Sequence, residues 1–383
     1  MLRLALLTTD NREDRRDYAP SRPWFGTAVQ ALLDGFASMP EEVEVHVISC
    51  ARRHLESPVR LTANIHFHSI YVSPRAWLKT AYITNILAVR NCLSEIRPDL
   101  VHGQGTERDC ALTAAFSGYP NLITIHGNMR RLARISHAPL WSFAGISAIL
   151  ENIAIRWCGG VVCLSSHSHD LAAPLARRAW LVPNAVDSSF FSVARNPSAQ
   201  PPVILIVADL LPNKNILHFL ESIAPFRESC PFTVRVIGKA QQDSPYVRAI
   251  QSFADEHSWC GIEPFADRER IRAAMASATL LALPSIEENL PMVILEAMAA
   301  GLPVAASCVG GIPDLITDRS TGMLFNPGCP ISICDAIRHL LDHPAEREQM
   351  AAAARKKVLQ NHHPAIVAHA HLEIYRSMLP AGA

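Results

Sequence analysis

Short apolar runs closed by turn residues recur along the chain and alternate with segments of helical period. The clearest run is Leu280, Leu281, Ala282 and Leu283, closed by Pro284 and Ser285. It has the length of a strand and no polar alternation, which is the pattern of a parallel strand buried on both faces. Similar runs predict strands at Leu4 to Thr8, Val43 to Ile48, Leu100 to His102, Asn121 to His126 and Val161 to Leu164. Later ones fall at Val203 to Ala208, Phe232 to Gly238, Pro303 to Ala306 and around Gly322 to Pro327. The polar stretch Asp10 to Pro23 reads as a loop. After it, Val29, Leu32, Leu33 and Phe36 share one helical face. Further helices are predicted at Lys79 to Ile96, Arg108 to Ser117, Ser142 to Trp157 and Ser168 to Arg178. The second half adds Pro245 to His257, Arg268 to Ser277, Ile331 to Asp342, Ala345 to Gln360 and Ala365 to Met378. Pro291 is placed to open one more helix, through Ala300, which Gly301 stops. Such alternation predicts an α/β protein with doubly wound parallel sheets, whose ligands bind beyond the carboxyl ends of the strands.

A length of 383 residues fits two domains, each able to bury its own core. The segment Ser192 to Pro202, rich in Pro, Ser and Asn, reads as the linker between domains at 1–192 and 203–362, with 363–383 as a terminal helix. Hydrophobic residues make up 49% of the chain, yet no run is long enough to span a bilayer. The nearest candidate, Leu140 to Leu164, is interrupted by Glu151, Asn152 and Arg156 and reads as a buried or interfacial helix. The start of the chain suits a first strand better than a signal peptide. Ten scattered cysteines without a Cys-x-x-Cys pair point to free thiols in a reducing compartment. A formal net charge of zero gives no support to nucleic-acid binding.

Candidate chemistry concentrates after the run at Leu280. The backbone N–H groups of Asn289, Leu290, Pro291's successors Met292 and Val293, and Ile294 belong to a helix N-terminus, where an anion such as phosphate is favoured. Glu288 precedes that helix and Glu296 lies inside it, two carboxylates able to accept bonds from hydroxyl groups. Gly26 stands at another helix start, where close backbone approach to a phosphate is possible. His102 and His126 each end a strand and precede a glycine, positions that face a ligand crevice in such sheets. Arg130, Arg131 and Arg134 form a basic stretch suited to a solvated face, an anionic acceptor or a membrane surface. His167, His169, His362 and His363 lack ligand-like spacing and read as surface residues.

Glu288, the Glu296-Ala297-Met298-Ala299 run, Gly301-Leu302-Pro303-Val304, Gly310-Gly311 and Gly322 together resemble the retaining nucleotide-sugar glycosyltransferases of family 4. Arg97 to Gly103, Thr124 to Gly127 and Val182 to Asp187 are similar to family segments too, with Ala185 where the family has glycine and Phe25 where it has the first of two glycines. The family shows Gly-Arg and Lys-Gly pairs whose cations clamp the donor pyrophosphate. Here these positions read Ala208-Asp209 and Lys214-Asn215, so one of the two cations is kept.

The resemblance implies the GT-B fold, two Rossmann-like domains facing across a cleft, with the terminal helix crossing back to the acceptor-side first domain. It implies transfer of a hexose from a UDP- or GDP-sugar to a hydroxyl of a glycan or glycolipid, with retention, in polysaccharide or cell-envelope synthesis. Lys214 and the residues Asn289 to Val293 would stabilise the departing diphosphate. Glu296 would hold the ribose, Glu288 the hydroxyls of the donor sugar, and His126 would position that sugar. Gly26 would contact phosphate. No cofactor is implied and, without an Asp-x-Asp pair, no metal. A cytoplasmic location follows, with Arg130, Arg131 and Arg134 as the contact to the inner membrane face. Asp209 leaves a second reading open, a GT-B protein that binds a nucleotide or partner without catalysis.

Overall fold

The computed structural model describes residues 1–73, 77–196, 200–240, 244–264 and 266–379. They form two compact units, Met1–Asp187 with His363–Ala383, and Ser188–His362. The division falls at Asp187, so Ser188 to Ser192 and the start of the expected linker belong with the second unit; positions 197–199 of that linker lie outside the described residues.

Among the described residues, the first unit holds a seven-stranded parallel sheet. Its strands are β1 (Leu2–Leu7), β2 (Val43–Ala51), β3 (Ile65–Tyr71), β4 (Leu100–Gln104), β5 (Asn121–Ile125), β6 (Val161–Cys163) and β7 (Ala179–Leu181). Their order is β3-β2-β1-β4-β5-β6-β7. The second unit holds a six-stranded parallel sheet of β8 (Val203–Val207), β9 (Thr233–Ile237), β10 (Cys260–Glu263), β11 (Leu280–Leu283), β12 (Val304–Ser307) and β13 (Met323–Phe325). Its order is β10-β9-β8-β11-β12-β13. Both sheets are thus wound in two directions from a reversal point, between β1 and β4 in one and between β8 and β11 in the other. The fold is α/β with two Rossmann-like units.

Leu4 and Leu6 of β1, with Val45 and Val47 of β2, are fully buried beneath the helix Thr27–Ala37. That helix buries the Val29, Leu32, Leu33 and Phe36 face that its period predicts. Its outer contact is the terminal helix Pro364–Met378, which returns to the first unit after the whole second unit has been threaded. Gly35 makes the crossing close, since a Cβ there would lie 2.3 Å from the Pro364 carbonyl oxygen. The returning helix also brings Tyr375 to His102, whose Nδ1 lies 2.7 Å from the Tyr375 Oη while Nε2 lies 2.7 Å from Thr124 Oγ1. His371 stacks on the same imidazole. His102 is therefore a satisfied core residue that faces the terminal helix, and the crevice position expected of it is not realised. His362, expected on the surface, is buried as well.

The polar stretch after β1 is more ordered than its composition indicates. Asp10 caps the short helix Asn11–Arg15, and Arg12 is buried with its guanidinium 2.7 Å from the Asp10 carboxylate. The remaining Arg12 donors reach the carbonyls of Pro20, Ser21 and Glu56 and the Ser57 hydroxyl. A charge that has every donor satisfied can be buried, and hydropathy alone does not reveal such a pairing. All ten cysteines are free thiols. Among the described residues no helix is long and apolar enough to cross a membrane.

Burial holds His102 well below its ordinary value and lowers His371 to about 4. The unfolded chain therefore binds protons that the folded chain excludes once the pH falls below about 6.5. The stability held by these neutral imidazoles is present above that pH and is lost on acidification toward the folded values, with a slope of about 1.4 kcal/mol per pH unit for each group. Urea titrations across this range should show the midpoint of the first unit falling with pH; a flat midpoint would show that these imidazoles are not held neutral. Tyr375→Phe should separately cost about 1–3 kcal/mol by removing the short bond to His102 Nδ1, which keeps only Gln104 Nε2 at 3.4 Å, read from the same titration at neutral pH.

Candidate active site

In the second unit the reversal point places two loops side by side. Lys214 ends the short turn Pro212–Lys214 that follows β8, and Glu288 lies in the loop that follows β11. The Lys214 Nζ is 2.5 Å from Glu288 Oε1, which also accepts from Ser285 Oγ at 2.7 Å. The loops are further joined by the Ile286 N–H on the Asn213 carbonyl at 2.8 Å. From the next loop, the Gly311 N–H donates to the Glu288 carbonyl at 3.1 Å. Gly310 has φ of +54°, and a Cβ there would sit 1.7 Å from that carbonyl oxygen. Only glycine fits both the left-handed backbone and the approach. The Gly310-Gly311 pair thus holds the backbone of Glu288 in place.

The helix that follows is Met292–Ala299, with Pro291 as its cap residue and not its first helical position. No side chain caps it. Of the first-turn amides, that of Ile294 donates to the Pro291 carbonyl at 3.2 Å, while those before it lack intrahelical acceptors, and the positive end of the helix dipole lies with them. Leu290 and Pro291 are buried, while Asn289, Met292 and Val293 are partly exposed, so this segment offers backbone more than side-chain polarity. Glu296 is buried on the same helix, and Arg268 approaches it at 3.5 Å. The Arg268 guanidinium also lies 5.4 Å from the centre of the Phe190 ring. Sequence reading expected two carboxylates flanking an anion site. The structure gives each of them a cation, Lys214 for Glu288 and Arg268 for Glu296. Arg268 escaped notice because its partner is distant in sequence.

Asp209 is exposed at the end of β8, and its carboxylate accepts from the Lys239 N–H at 3.3 Å. Lys239 follows β9, the neighbour of β8 on the side opposite β11. Asp209 is therefore bonded on the β9 side of β8.

The first unit has a cavity of about 350 Å³ where β1 and β4 end, bordered by Thr8, Asn11, Gly26, Gln104, Glu107 and His126. Gly26 and His126, far apart in sequence, meet in this one space. Gly26 caps the helix Thr27–Ala37 without a side-chain bond, and a Cβ on it would meet nothing within 4 Å. Local packing does not demand glycine there; the residue leaves the first-turn amides uncovered. His126 Nε2 lies 2.8 Å from Gln104 Oε1, so this nitrogen is the one that carries hydrogen. Burial lowers its pKa to about 4, which leaves the ring neutral near neutral pH. Glu107 accepts from the Gly127 N–H at 2.7 Å, and burial raises its pKa against the opposing pull of the backbone bonds. Gln104 and Glu107 were not legible as site residues, because neither belongs to a motif.

Arg130, Arg131 and Arg134 do not border that cavity. They lie on the helix Met129–Ile135 and, with Asn128 and Ile135, surround a separate space of about 320 Å³. Among the described residues no group of three or more His, Cys, Asp or Glu side chains is arranged to hold a metal ion.

Two family descriptions match the chain in tandem. "Glycosyltransferase Family 4" covers residues 26–190 and "Glycosyl transferases group 1" covers residues 188–357. The 2-deoxystreptamine glucosyltransferase of Streptomyces kanamyceticus is 27% identical over 91% of this chain and 94% of its own length. The alpha-maltose-1-phosphate synthase of Mycolicibacterium smegmatis is 24% identical over 70% of this chain and 75% of its own. Among solved structures, sucrose-phosphate synthase from Thermosynechococcus elongatus superposes with a TM-score of 0.79 at 17% identity, covering 99% of both chains. Anabaena HepE in complex with UDP and glucose gives 0.72 at 18% identity, over 98% of this chain and 100% of that one. These neighbours share the GT-B fold. With tandem matches from Gly26 to Lys357 and this architecture, the chain belongs to the family 4 glycosyltransferases.

Proposed function

We propose that this glycosyltransferase moves a hexose from a nucleotide-sugar donor, a UDP- or GDP-sugar, to a hydroxyl of a glycan or glycolipid, with retention of configuration and without a metal ion. The observation that carries the reading is the Lys214–Glu288 ion pair, set at the reversal point of the second sheet in the unit that also holds the uncapped helix Met292–Ala299. A cation and the amides of a helix N-terminus suit a diphosphate. The adjoining carboxylate suits the hydroxyls of the sugar attached to it. The UDP complex of a protein of the same fold favours UDP among the two nucleotides.

In the reaction, the bond between the anomeric carbon and the β-phosphate oxygen breaks while the acceptor oxygen bonds the same carbon from the same face. The acceptor proton passes to the departing phosphate oxygen. Lys214 and the amides around Asn289 to Val293 stabilise the charge that develops on that diphosphate. Glu288 holds Lys214 in place and accepts from the donor sugar with its other oxygen. Glu296, with Arg268 at 3.5 Å from its carboxylate, accepts from the ribose. Gly26 leaves the first turn of its helix open to phosphate. His126 is a neutral hydrogen-bonding group for the sugar, since a ring with a pKa of about 4 carries no charge at neutral pH. The products fit assembly of a polysaccharide or cell-envelope glycoconjugate.

Nucleotide release from a panel of UDP- and GDP-sugars, with and without EDTA, tests the donor. Release from one donor that EDTA does not slow is expected, and release from none would overturn the reading. Lys214→Ala should lower kcat by about 100-fold, the scale of losing one preorganised electrostatic contact. Glu288→Gln should lose a comparable factor, and the double variant little more than the worse single one, because the two side chains act as a unit. Full additivity would show that they act separately. His126→Ala should lower kcat/KM by at least about tenfold while leaving the shape of the pH–rate profile between about pH 6 and 8 unchanged. A limb in that range that disappears with His126 would instead make the histidine a titrating acid or base.

A further inference from the structure

We propose that the second unit holds a further anion site, for a small organic phosphate, at the end of its sheet opposite the Lys214 and Glu288 loops. The site is built from residues outside the proposed reaction and does not rest on the donor reading.

A cavity of about 610 Å³ lies between the segment Phe191 to Arg195, the Ala300-Gly301 turn and one face of the helix Pro344–Asn361. Ala278 and Gly301 shortly precede β11 and β12, and Arg195 donates to both carbonyls, from Nη2 at 2.8 Å and Nη1 at 2.6 Å. The cavity is therefore at the amino ends of these parallel strands, whereas the Lys214 and Glu288 loops follow carboxyl ends. On the helix, Glu348, Ala352, Arg355 and Leu359 recur at the spacing of one face.

Cations collect here. A Cβ on Gly301 would lie 3.9 Å from Arg195 Cδ and 3.7 Å from Arg355 Cδ, so the two side-chain stems converge on that glycine. Arg355 donates one bond, to the Phe191 carbonyl. Lys356 is exposed and makes no hydrogen bond or ion pair among the described residues. Among those residues a single carboxylate, Glu348, borders the cavity. Its Oε2 lies 3.8 Å from Arg195 Nη1, outside hydrogen-bond range, and its Oε1 accepts from Arg347 Nε at 3.4 Å. The Arg195 side chain is only 11% exposed, and its Nε–H is buried without an acceptor among the described residues. Burial lowers its pKa, with Glu348 opposing the shift and Arg347 adding to it.

A desolvated guanidinium among like charges, sharing one carboxylate, gains from an anion that brings several acceptors at once. A phosphomonoester is such an anion, since its three terminal oxygens offer acceptors to Arg355, Lys356 and Arg195 together. The remaining wall is apolar, with Phe191, Val193, Ala300, Ala351 and a Leu359 that is 49% exposed. That wall suits a ring, and the volume is that of a small-ligand site. The ligand class is thus a phosphate ester carried on a ring, from a sugar phosphate or a nucleotide.

Isothermal titration calorimetry of the full-length protein with ribose 5-phosphate, AMP, ribose and inorganic phosphate tests this. At least one of the two esters should bind, with ribose silent and inorganic phosphate weaker than that ester by about tenfold or more. Tighter binding of AMP would name a nucleotide, and equal binding a sugar phosphate; either supports the site. Arg355→Glu/Lys356→Glu should weaken the ester by about tenfold or more. Both side chains are exposed, so circular dichroism and melting temperature should stay those of the parent; Arg195, which holds two carbonyls, is left in place. Lys356→Glu alone removes no contact within the described residues and should weaken binding by about threefold or more. Lys214→Ala should leave this binding unchanged, which separates the site from the proposed donor crevice. Absence of binding by both esters, or binding indifferent to the charge reversals, would overturn the proposal. So would binding lost in Lys214→Ala and kept in the reversed variants, which assigns the ester to the donor crevice. Inorganic phosphate held as tightly as the esters would leave the ring no role and overturn the ligand class.

Discussion

Parallel strands cannot be joined by tight turns, and this constraint decides where the polar chemistry of the chain collects. Each crossover must run through a helix, and each sheet reverses the direction of winding once, between β1 and β4 and between β8 and β11. At a reversal the connections leave in opposite directions and open a crevice at the carboxyl ends of the strands. The cavity with Gly26 and His126 occupies the first of these, and the Lys214 and Glu288 loops meet at the second. Side chains separated by about a hundred residues in the first case are neighbours because topology makes them so.

Burial then sets the electrostatics of these crevices. Polar groups at the carboxyl ends of buried strands are desolvated, and each charge needs a counterpart. Arg12 finds Asp10, Lys214 finds Glu288, and Glu296 finds Arg268. Where desolvation outweighs what the neighbours supply, the neutral form gains instead: His126 is lowered to about 4, and burial pushes the Glu151 and Glu107 carboxyls up. The first unit therefore presents a neutral His126 ring at a crevice that the Asp14–Arg108 ion pair also borders, and the second presents ion pairs and helix amides.

Much of this was legible in the sequence. Apolar runs located β1, β2, β4, β5, β6, β8, β9, β11, β12 and β13, since a doubly covered parallel strand has little choice of composition. The strand β3 was missed because His66 and His68 break a continuous apolar run, and β7 and β10 lie at sheet edges where the apolar run is short. At the site, motif residues could be found because glycines with a geometric duty leave a signature: Gly310 must lie against the Glu288 carbonyl, and no other residue fits. Pairings could not be found. Nothing in local pattern joins Arg268 to Glu296, or turns His102 away from the crevice toward Tyr375, because both depend on elements that arrive much later in the chain.

The Lys214–Glu288 pair illustrates why such a pairing would be kept. Its side chains are 22% and 12% exposed, so both charges have lost much of their hydration. An ion pair of this kind contributes little net stability, and apolar residues of similar volume would fold as well. Its position has a different physical consequence. Glu288 holds the ammonium group at the loop junction before any ligand arrives, and Gly311, Ile286 and Ser285 hold Glu288 and its loop in turn. A charge fixed in advance needs no reorganisation when negative charge develops beside it, whereas a free lysine would have to be ordered at that moment. In the reaction proposed above, the carboxylate also moderates the ammonium charge, so that a departing anion is stabilised without being trapped. Under that proposal the pair contributes preorganisation in place of stability, which accounts for a carboxylate and an ammonium where packing alone would favour neither.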